Sequence, residues 1–245
     1  MISKSQEKYT QSLKQKKFRQ EHNAFVVEGE KAVEEFLYSA VELQWLFALP
    51  QWLNQHRGIE KRFEGKVIEA NEISLGKMSS FTSPSTVLAV FKIPAQPKTE
   101  FKNDEFIVML DGIRDPGNLG TIIRTADWFG IKHVICSLDC ADAYNPKTVQ
   151  SSMGSLAHVQ VYENDLHEVL LKNQLPVYGA MLHGKNLDAI TTTGKGIILI
   201  GSESNGISSN IQGFITDKVF IPGKGKAESL NASIACGIIC SWLCK

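Results

Sequence analysis

Hydrophobic and polar residues alternate along the first ninety or so positions in short runs that suit strands, with helical patterns between them. The apolar runs are AFVVE at 24–28, LQWLFAL at 43–49, KVIEA at 66–70 and VLAVFK at 87–92. This pattern predicts a small α/β domain over residues 1–92. Residues 93–104, IPAQPKTEFKND, contain two prolines and follow neither periodicity, so we expect a linker there.

Beyond the linker, apolar runs and helix-compatible segments alternate more cleanly. The runs are FIVML at 106–110, HVICS at 133–137, VYGAML at 177–182, GIILI at 196–200 and KVFI at 218–221. Such alternation is typical of a mostly parallel sheet covered by helices, and it predicts a second α/β domain over residues 105–245. Ligands of such sheets bind beyond the carboxyl ends of the strands, so chemistry is expected in the segments that follow these runs.

Composition adds bounds on the class of protein. Of the 245 residues, 43% are hydrophobic, which is enough for a substantial core. No apolar stretch approaches the roughly 20 residues of a membrane span, and the N-terminus lacks the apolar core of a signal peptide. We therefore expect a soluble cytoplasmic protein. The six His residues form no ligand spacing with a carboxylate or a Cys, so we expect no metal site. The cysteines are expected to be reduced thiols, and three of them recur every four residues on one side of a helix: Cys236, Cys240 and Cys244.

The balance of charge offers no global attraction for nucleic acid, because 26 Lys and Arg residues match 26 Asp and Glu residues. Any affinity for RNA must come from a local patch. The densest run of basic residues consists of Lys14, Lys16, Lys17 and Arg19. Such a run is either a solvated helix face or a phosphate-binding site, and the sequence leaves both open.

Polar residues and glycines gather in three segments that follow predicted strands. In the first, DGIRDPGNLGTIIRTADWFG at 111–130, Pro and Gly force a turn and Asn118 stands where a helix can start. Helical spacing points Arg124 of this segment away from the buried stripe. In the second, LIGSESNGI at 199–207, Glu203 can cap a helix or accept hydrogen bonds from a ligand.

The third segment is IPGKGKAESLNASIACGIICSW at 221–242. Its proline and glycines keep the loop irregular, so its backbone groups are free to bind a planar polar ligand such as an adenine. We expect a helix to begin at Glu228 or Ser229, where Asn231 adds a further polar side chain. Apolar residues spaced by four along that helix predict core packing or a subunit interface: Leu230, Ile234, Ile238 and Trp242.

Several common motifs are missing from the sequence. It contains no G-x-G-x-x-G after a first strand, no G-x-x-x-x-G-K-[ST], no G-x-S-x-G and no H-E-x-x-H. Ordinary dinucleotide binding, P-loop phosphate binding and the common serine hydrolase arrangement therefore lose support.

In this order, PGNLGTIIRTA, GSESNG and IPGKGKAESLNAS resemble the three motifs of the SpoU/TrmH family of RNA 2′-O-methyltransferases, within the knotted SPOUT superfamily. The resemblance covers residues 105–245 and departs at Gly223, where the family often has a bulkier Met. It implies S-adenosylmethionine as the cofactor and a trefoil knot in the C-terminal part of the chain. It also implies a homodimer that binds RNA across two subunits.

The resemblance also assigns roles to single residues. It implies that the cofactor is bound by Gly201, Ile221 and Leu230. It implies that the active site is formed by Asn118, Arg124, Glu203, Ser229 and Asn231. The family gives the arginine of the first motif the task of activating the ribose hydroxyl, and we expect Glu203 to hold its guanidinium in place.

The N-terminal stretch LKQKKFRQEHNAFVVEGEKAVEE is similar to the start of the substrate-binding domain found in many family members. This similarity implies that residues 1–92 bind RNA, with the basic run at residues 14–19 as the contact. The sequence therefore predicts methylation of a ribose 2′-hydroxyl, in ribosomal rather than transfer RNA. Three alternatives stay open: a transfer RNA methyltransferase of this family, a catalytically silent RNA-binding protein, and an α/β enzyme that binds a nucleotide outside RNA.

Overall fold

A computed structural model describes residues 2–95 and 104–244, and the chain forms two separately packed units. Of the described residues, the first unit holds 2–95 and 142–157, and the second holds 104–141 and 158–244. Residues 142–157, which the sequence placed in the second domain, thus pack with the first unit. The predicted linker at 93–104 lies mostly outside the described residues.

Helices and strands follow one another along both units. Up to residue 95 they are α1 (Lys4–Ser12), α2 (Lys16–His22), β1 (Ala24–Glu28), α3 (Glu30–Leu37), β2 (Leu43–Ala48), α4 (Pro50–Gln55), α5 (Ile59–Arg62), β3 (Val67–Glu69), α6 (Glu72–Met78) and β4 (Val87–Lys92). From residue 104 they are β5 (Phe106–Asp111), α7 (Pro116–Trp128), β6 (His133–Cys136), α8 (Pro146–Ser152), β7 (Gln160–Glu163), α9 (Leu166–Leu171), β8 (Val177–Asn186), β9 (Gly196–Gly201), β10 (Asp217–Phe220) and α10 (Ala232–Leu243). Short 3-10 turns lie at Ser155–Ala157, Leu187–Ala189 and Gln212–Phe214.

The sheet of the first unit has the order β1-β4-β2-β3 within the described residues. Strand β4 is antiparallel to both β1 and β2, whereas β3 is parallel to β2. Strand β4 is buried along almost its whole length, as expected for a central strand that is apolar at nearly every position. Three rings from β1, α3 and β4 pack with centroids 5.1 to 6.2 Å apart: Phe25, Phe36 and Phe91.

A buried ion pair ties residues 142–157 to this unit. The Arg19 side chain is only 2% exposed, and its Nη2 and Nε donate to Oδ2 of Asp142 at 2.6 and 3.2 Å. Its Nη1 donates to the carbonyl oxygens of Leu13 and Lys14 at 2.8 and 2.9 Å. The sequence predicted Arg19 as an RNA contact. This prediction is wrong, because the guanidinium is buried and donates its hydrogen bonds to groups of the protein itself.

In the described part of the second unit, six strands pair in parallel in the order β10-β8-β9-β5-β6-β7. The predicted parallel sheet is confirmed, with one strand, β7, that sequence reasoning did not identify. The chain leaves β5 toward β6 and β7 and then continues in β8 and β9 on the other side of β5. The boundary between β5 and β9 is therefore a topological switch point, where open parallel sheets bind their ligands.

The C-terminal helix begins later than predicted. It starts at Ala232 rather than at Glu228 or Ser229, because the side chain of Asn231 caps it. Its buried face consists of Ala232, Ser233, Cys236, Ile239, Cys240 and Leu243. Ile234 of the predicted apolar stripe is 54% exposed, so of the two roles predicted for the stripe, core packing does not hold there and a subunit interface stays a prediction.

Between residues 2 and 95 and between 104 and 244, no helix is long and apolar enough to cross a membrane. The thiols of Cys236 and Cys240 are buried with their sulfur atoms 3.9 Å apart, and all five cysteines are free thiols.

We predict that Asp142→Ala destabilises the first unit, because it leaves the Arg19 guanidinium buried without its ionic partner. Breaking such a pair costs about 3 kcal/mol or more, to be measured as a lower free energy of unfolding in urea. The control is Lys185→Met, which breaks the exposed pair of Lys185 with Asp217 and costs less than about 1 kcal/mol. A loss for Asp142→Ala no larger than that of the control would contradict the prediction.

Candidate active site

A tight turn follows β9 and presents Glu203. The turn closes through a bridge between Ser202 and Gly206, whose φ of +65° favours glycine. A Cβ atom on Gly201 would come within 2.2 Å of the Gly206 carbonyl carbon, so no larger residue fits at that position. The glycines of this motif thus give Glu203 a fixed location at the carboxyl end of the strand.

One carboxylate oxygen brings the three motifs together. Oε1 of Glu203 accepts hydrogen bonds from Nδ2 of Asn118 at 2.7 Å, from Nδ2 of Asn231 at 3.1 Å and from the Ala232 amide at 3.2 Å. Nδ2 of Asn231 also donates to Oδ1 of Asn118 at 2.9 Å. We call Asn118, Glu203 and Asn231 the Asn–Glu–Asn cluster. Its members are all among the residues that the sequence predicted for the active site.

Helix capping positions both asparagines. Oδ1 of Asp115 accepts from the Asn118 amide at 2.8 Å, so Asp115 is the N-cap of α7 and Asn118 lies in its first turn. Oδ1 of Asn231 accepts from the amides of Ser233 and Ile234 at 3.0 and 3.4 Å and caps α10. The sequence placed Asp115 in the turn and the helix start at Asn118, although an Asp directly before a Pro is the signal of a capped helix start.

The other two residues predicted for the active site, Arg124 and Ser229, form no hydrogen bond with this cluster in the part of the chain that the structure describes. Both side chains are exposed, and among the described residues neither has a hydrogen-bond or ion-pair partner. Arg124 follows Asn118 by six positions in α7, which places the two residues about 9 Å apart along the helix axis and on different faces of the helix. Within the described residues no hydrogen bond or ion pair joins Glu203 to Arg124, in contrast to the expectation that Glu203 holds this guanidinium, and Oε1 of Glu203 binds the two asparagines.

A cavity of about 530 Å³ opens beside the cluster at the carboxyl ends of β8, β9 and β10. Its lining includes the three residues that the sequence predicted for cofactor binding, Gly201, Ile221 and Leu230, together with Glu203 and Ser229. Its size and its mixture of aliphatic walls with loop backbone are those of a nucleoside-sized pocket. These residues fit the adenosyl group of S-adenosylmethionine.

The loop between β5 and α7 is held from below by side chains that follow β6. The Gly112 amide donates to Oγ of Ser137 at 2.9 Å, and the Ile113 amide donates to Sγ of Cys140 at 3.3 Å. A hydrogen bond from Cys136, with others from Ser137 and the Ile113 amide, lowers the pKa of Cys140 to about 7. These acceptors fix the backbone that leads to Asn118.

The pKa of Asp139 is also lowered, first by a hydrogen bond from Ser137 and then by the guanidinium of Arg114. The Arg114 Nη2 lies 2.8 Å from Oδ2 of Asp139. This ion pair is exposed, so it orients the start of the same loop and adds little to stability.

Comparison with known proteins agrees with this geometry. The model of the SpoU rRNA methylase family matches residues 105–241, which is more than half of the chain. The chain belongs to this family. A model of the MRM3-like substrate-binding domain matches residues 4–89.

Individual relatives extend over both units. The 23S rRNA (guanosine(2553)-2′-O)-methyltransferase RlmP of Bacillus subtilis is 29% identical over 93% of this chain and 91% of its own. A Porphyromonas gingivalis protein assigned to the TrmH family is 38% identical, with a TM-score of 0.85 over 99% of this chain and 98% of that one. An AdoMet-bound rRNA methyltransferase of Sinorhizobium meliloti is 29% identical, with a TM-score of 0.86 over 98% of this chain and 95% of that one. This SpoU protein is thus an S-adenosylmethionine-dependent RNA methyltransferase, and the predicted family, fold class and cofactor are confirmed.

We predict that Asn231→Asp separates activity from stability. The aspartate keeps an oxygen that caps α10, but it turns a second carboxylate oxygen toward Oε1 of Glu203 where Nδ2 now donates. Displacing a positioning group by about 1 Å can cost about 100-fold in rate. We therefore expect kcat/KM for methyl transfer to fall by about that factor, measured with labelled S-adenosylmethionine.

The matched control removes a cap elsewhere in the chain. Oδ1 of Asn145 accepts from the Lys147 amide at 2.9 Å and caps α8. Asn145→Ala should cost about 1 kcal/mol of stability and leave kcat unchanged. Full activity in Asn231→Asp would show that the cluster does not position the reaction.

Proposed function

We propose that this enzyme transfers a methyl group from S-adenosylmethionine to a ribose 2′-hydroxyl of ribosomal RNA. The observation that carries the proposal is that Glu203 both lines the cavity and joins Asn118 to Asn231. A polar centre built from all three motifs thus lies directly beside the proposed cofactor pocket. The relative RlmP is named for 2′-O-methylation of a 23S rRNA guanosine, which favours ribosomal over transfer RNA.

Positioning is the main demand of this reaction. When bound, S-adenosylmethionine supplies an electrophilic methyl group, and the ribose oxygen must lie about 3 Å from its carbon in line with the bond that breaks. Gly201, Ile221 and Leu230 hold the cofactor, largely through backbone atoms. Ser229 lines this pocket, and among the residues that the structure describes its hydroxyl has no hydrogen-bond partner; Ser229 and Asn118 orient the ribose.

Arg124 completes the catalytic group in this proposal. A guanidinium has a pKa above about 12 and is therefore a poor proton acceptor. It is instead a strong bidentate ligand for the phosphate next to the target ribose, and its charge stabilises the alkoxide that develops as the proton leaves to water. Glu203 acts through the two asparagines and is a positioning residue.

The enzyme acts as a homodimer in this proposal. Trp128 at the end of α7 is 83% exposed and Ile234 at the start of α10 is 54% exposed, so two large apolar side chains face solvent on helices that pack against each other. Arg124 precedes Trp128 by four residues and therefore lies on the same face of α7. A dimer formed through this surface brings Arg124 to the boundary between subunits, where RNA would bind.

Other parts of the proposal concern the fold and the substrate-binding domain. The C-terminal part of the chain forms a trefoil knot, as expected for a SPOUT enzyme, and the protein acts in the cytoplasm, as expected for a bacterial-type rRNA enzyme. Residues 1–92 bind the RNA substrate, supported by the match to a substrate-binding domain. Lys16 and Lys17 contact its phosphates, since both are exposed. The predicted contact through Lys14 is not kept, because its ammonium donates to the carbonyl oxygen of Ser79 at 2.5 Å.

The direct test is to incubate the protein with labelled S-adenosylmethionine and, separately, with ribosomal RNA and transfer RNA. We expect label in ribosomal RNA, recovered after digestion as a 2′-O-methylated nucleotide. Label confined to transfer RNA would overturn the substrate. Cofactor binding by calorimetry without transfer to either RNA would favour the catalytically silent RNA-binding protein.

We predict that Arg124→Lys lowers kcat by about 100-fold, because an ammonium keeps the charge but cannot form the bidentate contact with a phosphate. The dissociation constant for S-adenosylmethionine should stay the same, since Arg124 lies outside the cofactor pocket in this proposal. Single-turnover methylation and calorimetry measure the two quantities. Near-normal activity would contradict a need for guanidinium geometry.

We predict that Trp128→Glu converts a dimer into a monomer, because it places a charge in the apolar surface of α7 and α10. Light scattering after size-exclusion chromatography measures the mass. The matched control is Leu171→Glu on α9, a residue that is 56% exposed and should leave the mass unchanged. A monomeric wild-type protein would contradict the proposed dimer.

A further inference from the structure

A column of aromatic rings runs outward from the core of the first unit where α1 meets α2. The ring of Trp45 lies 6.2 Å from the fully buried Phe47 and stands edge-on to Tyr9 at 5.0 Å. The Tyr9 ring lies 4.7 Å from the imidazole of His22. His22 in turn is nearly parallel to Phe18, with an interplanar angle of 13° and centroids 6.2 Å apart.

The outer rings of this column are held in place by the protein. Phe18 and His22 are four residues apart and lie on one face of α2, and both are only partly buried. The hydroxyl of Tyr9 donates to Oε1 of Gln44 at 3.1 Å, which anchors the ring below them. The Phe18 and His22 rings are therefore preorganised at the surface, so that a ligand would lose little entropy in ordering them.

Positive charge borders the same rings. Lys16 and Lys17 are exposed and, within the described residues, have no hydrogen-bond or ion-pair partner. The Lys17 ammonium lies 5.7 Å from the centroid of the Phe18 ring, near the outer limit of a cation–π contact, so little holds it there. The only carboxylate on α2 is that of Glu21. An aromatic surface bordered by two lysine ammonium groups favours a ligand that has a flat ring and negative charges on either side of it.

We propose that this surface, formed by Tyr9, Phe18 and His22 with Lys16 and Lys17, binds an unpaired nucleotide of the RNA substrate. The base stacks on the Phe18 and His22 rings, and the lysines contact the adjacent phosphates. The target is unpaired because bases within a duplex are stacked on each other, whereas those of loops and bulges are open to aromatic side chains. This inference rests on the proposed function, in which the first unit binds the RNA substrate.

The test measures RNA binding by the full-length protein with two fluorescent probes. One is a hairpin with a loop of unpaired nucleotides, and the other is a fully paired duplex of the same length. Phe18→Leu should weaken binding of the hairpin at least about 5-fold and leave duplex binding unchanged, since stacking on one aromatic ring contributes that much or more. The matched control Phe63→Leu, another partly buried ring of the first unit, should change neither dissociation constant.

The charge component has a separate signature. The double variant Lys16→Met/Lys17→Met should weaken binding of both probes and lower the slope of log affinity against log salt concentration by about 1 to 2. Phe18→Trp should bind the hairpin as tightly as the wild type, because it keeps a stacking surface. This variant also tests the idea if Phe18→Leu fails to fold.

Two outcomes would overturn the inference: unchanged hairpin binding by Phe18→Leu, or an equal loss on the duplex. Methyl transfer by the wild type is measured in parallel. Ribosomal RNA methylation without an effect of Phe18→Leu would defeat only the stacking site. A hairpin-specific loss in a protein that methylates no RNA would support the stacking site and defeat the proposed catalysis.

Discussion

The architecture of the candidate active site depends on one acceptor, Oε1 of Glu203. Three donors converge on it from the first turn of α7 and the start of α10: Nδ2 of Asn118, Nδ2 of Asn231 and the amide of Ala232. Hydrogen bonds to a carboxylate are about twice as strong as neutral ones. The carboxylate also lies beside the N-terminus of α10, where the helix dipole favours negative charge. Segments separated by up to 113 positions in sequence are thereby joined at one point.

The position of Oε1 of Glu203 follows from the topology of the parallel sheet. The parallel sheet places the loops after β5 and β9 at a topological switch point, and the tight turn at Gly201 and Gly206 presents Glu203 there. The same turn forms one wall of the cavity that fits the cofactor. The turn after β9 therefore contributes both to the cofactor cavity and to the position of Glu203, and a change in the turn would affect both.

Much of this arrangement could be predicted from the sequence, because apolar periodicity and the three motifs are local signals. Apolar periodicity identified the strands other than β7, and resemblance to the family's motifs pointed to the members of the Asn–Glu–Asn cluster. The predictions that were wrong concerned residues whose hydrogen-bond or ion-pair partners are distant in sequence. Ser229 is a good cap in isolation, but Asn231 caps α10, and its side-chain amide is also held by Glu203. Arg19 is part of a basic run, and only the fold shows that Asp142, 123 positions away, takes its charge.

The central claim is that Asn118, Glu203 and Asn231 act as one unit, and a double-mutant cycle on kcat/KM tests it most directly. Glu203→Ala and Asn118→Ala are measured alone and together, with cofactor binding followed by calorimetry. Since each substitution disrupts the same network, the double variant should be little worse than the more impaired single variant. Losses in free energy that simply add would mean that the two residues act independently, and this would contradict the account.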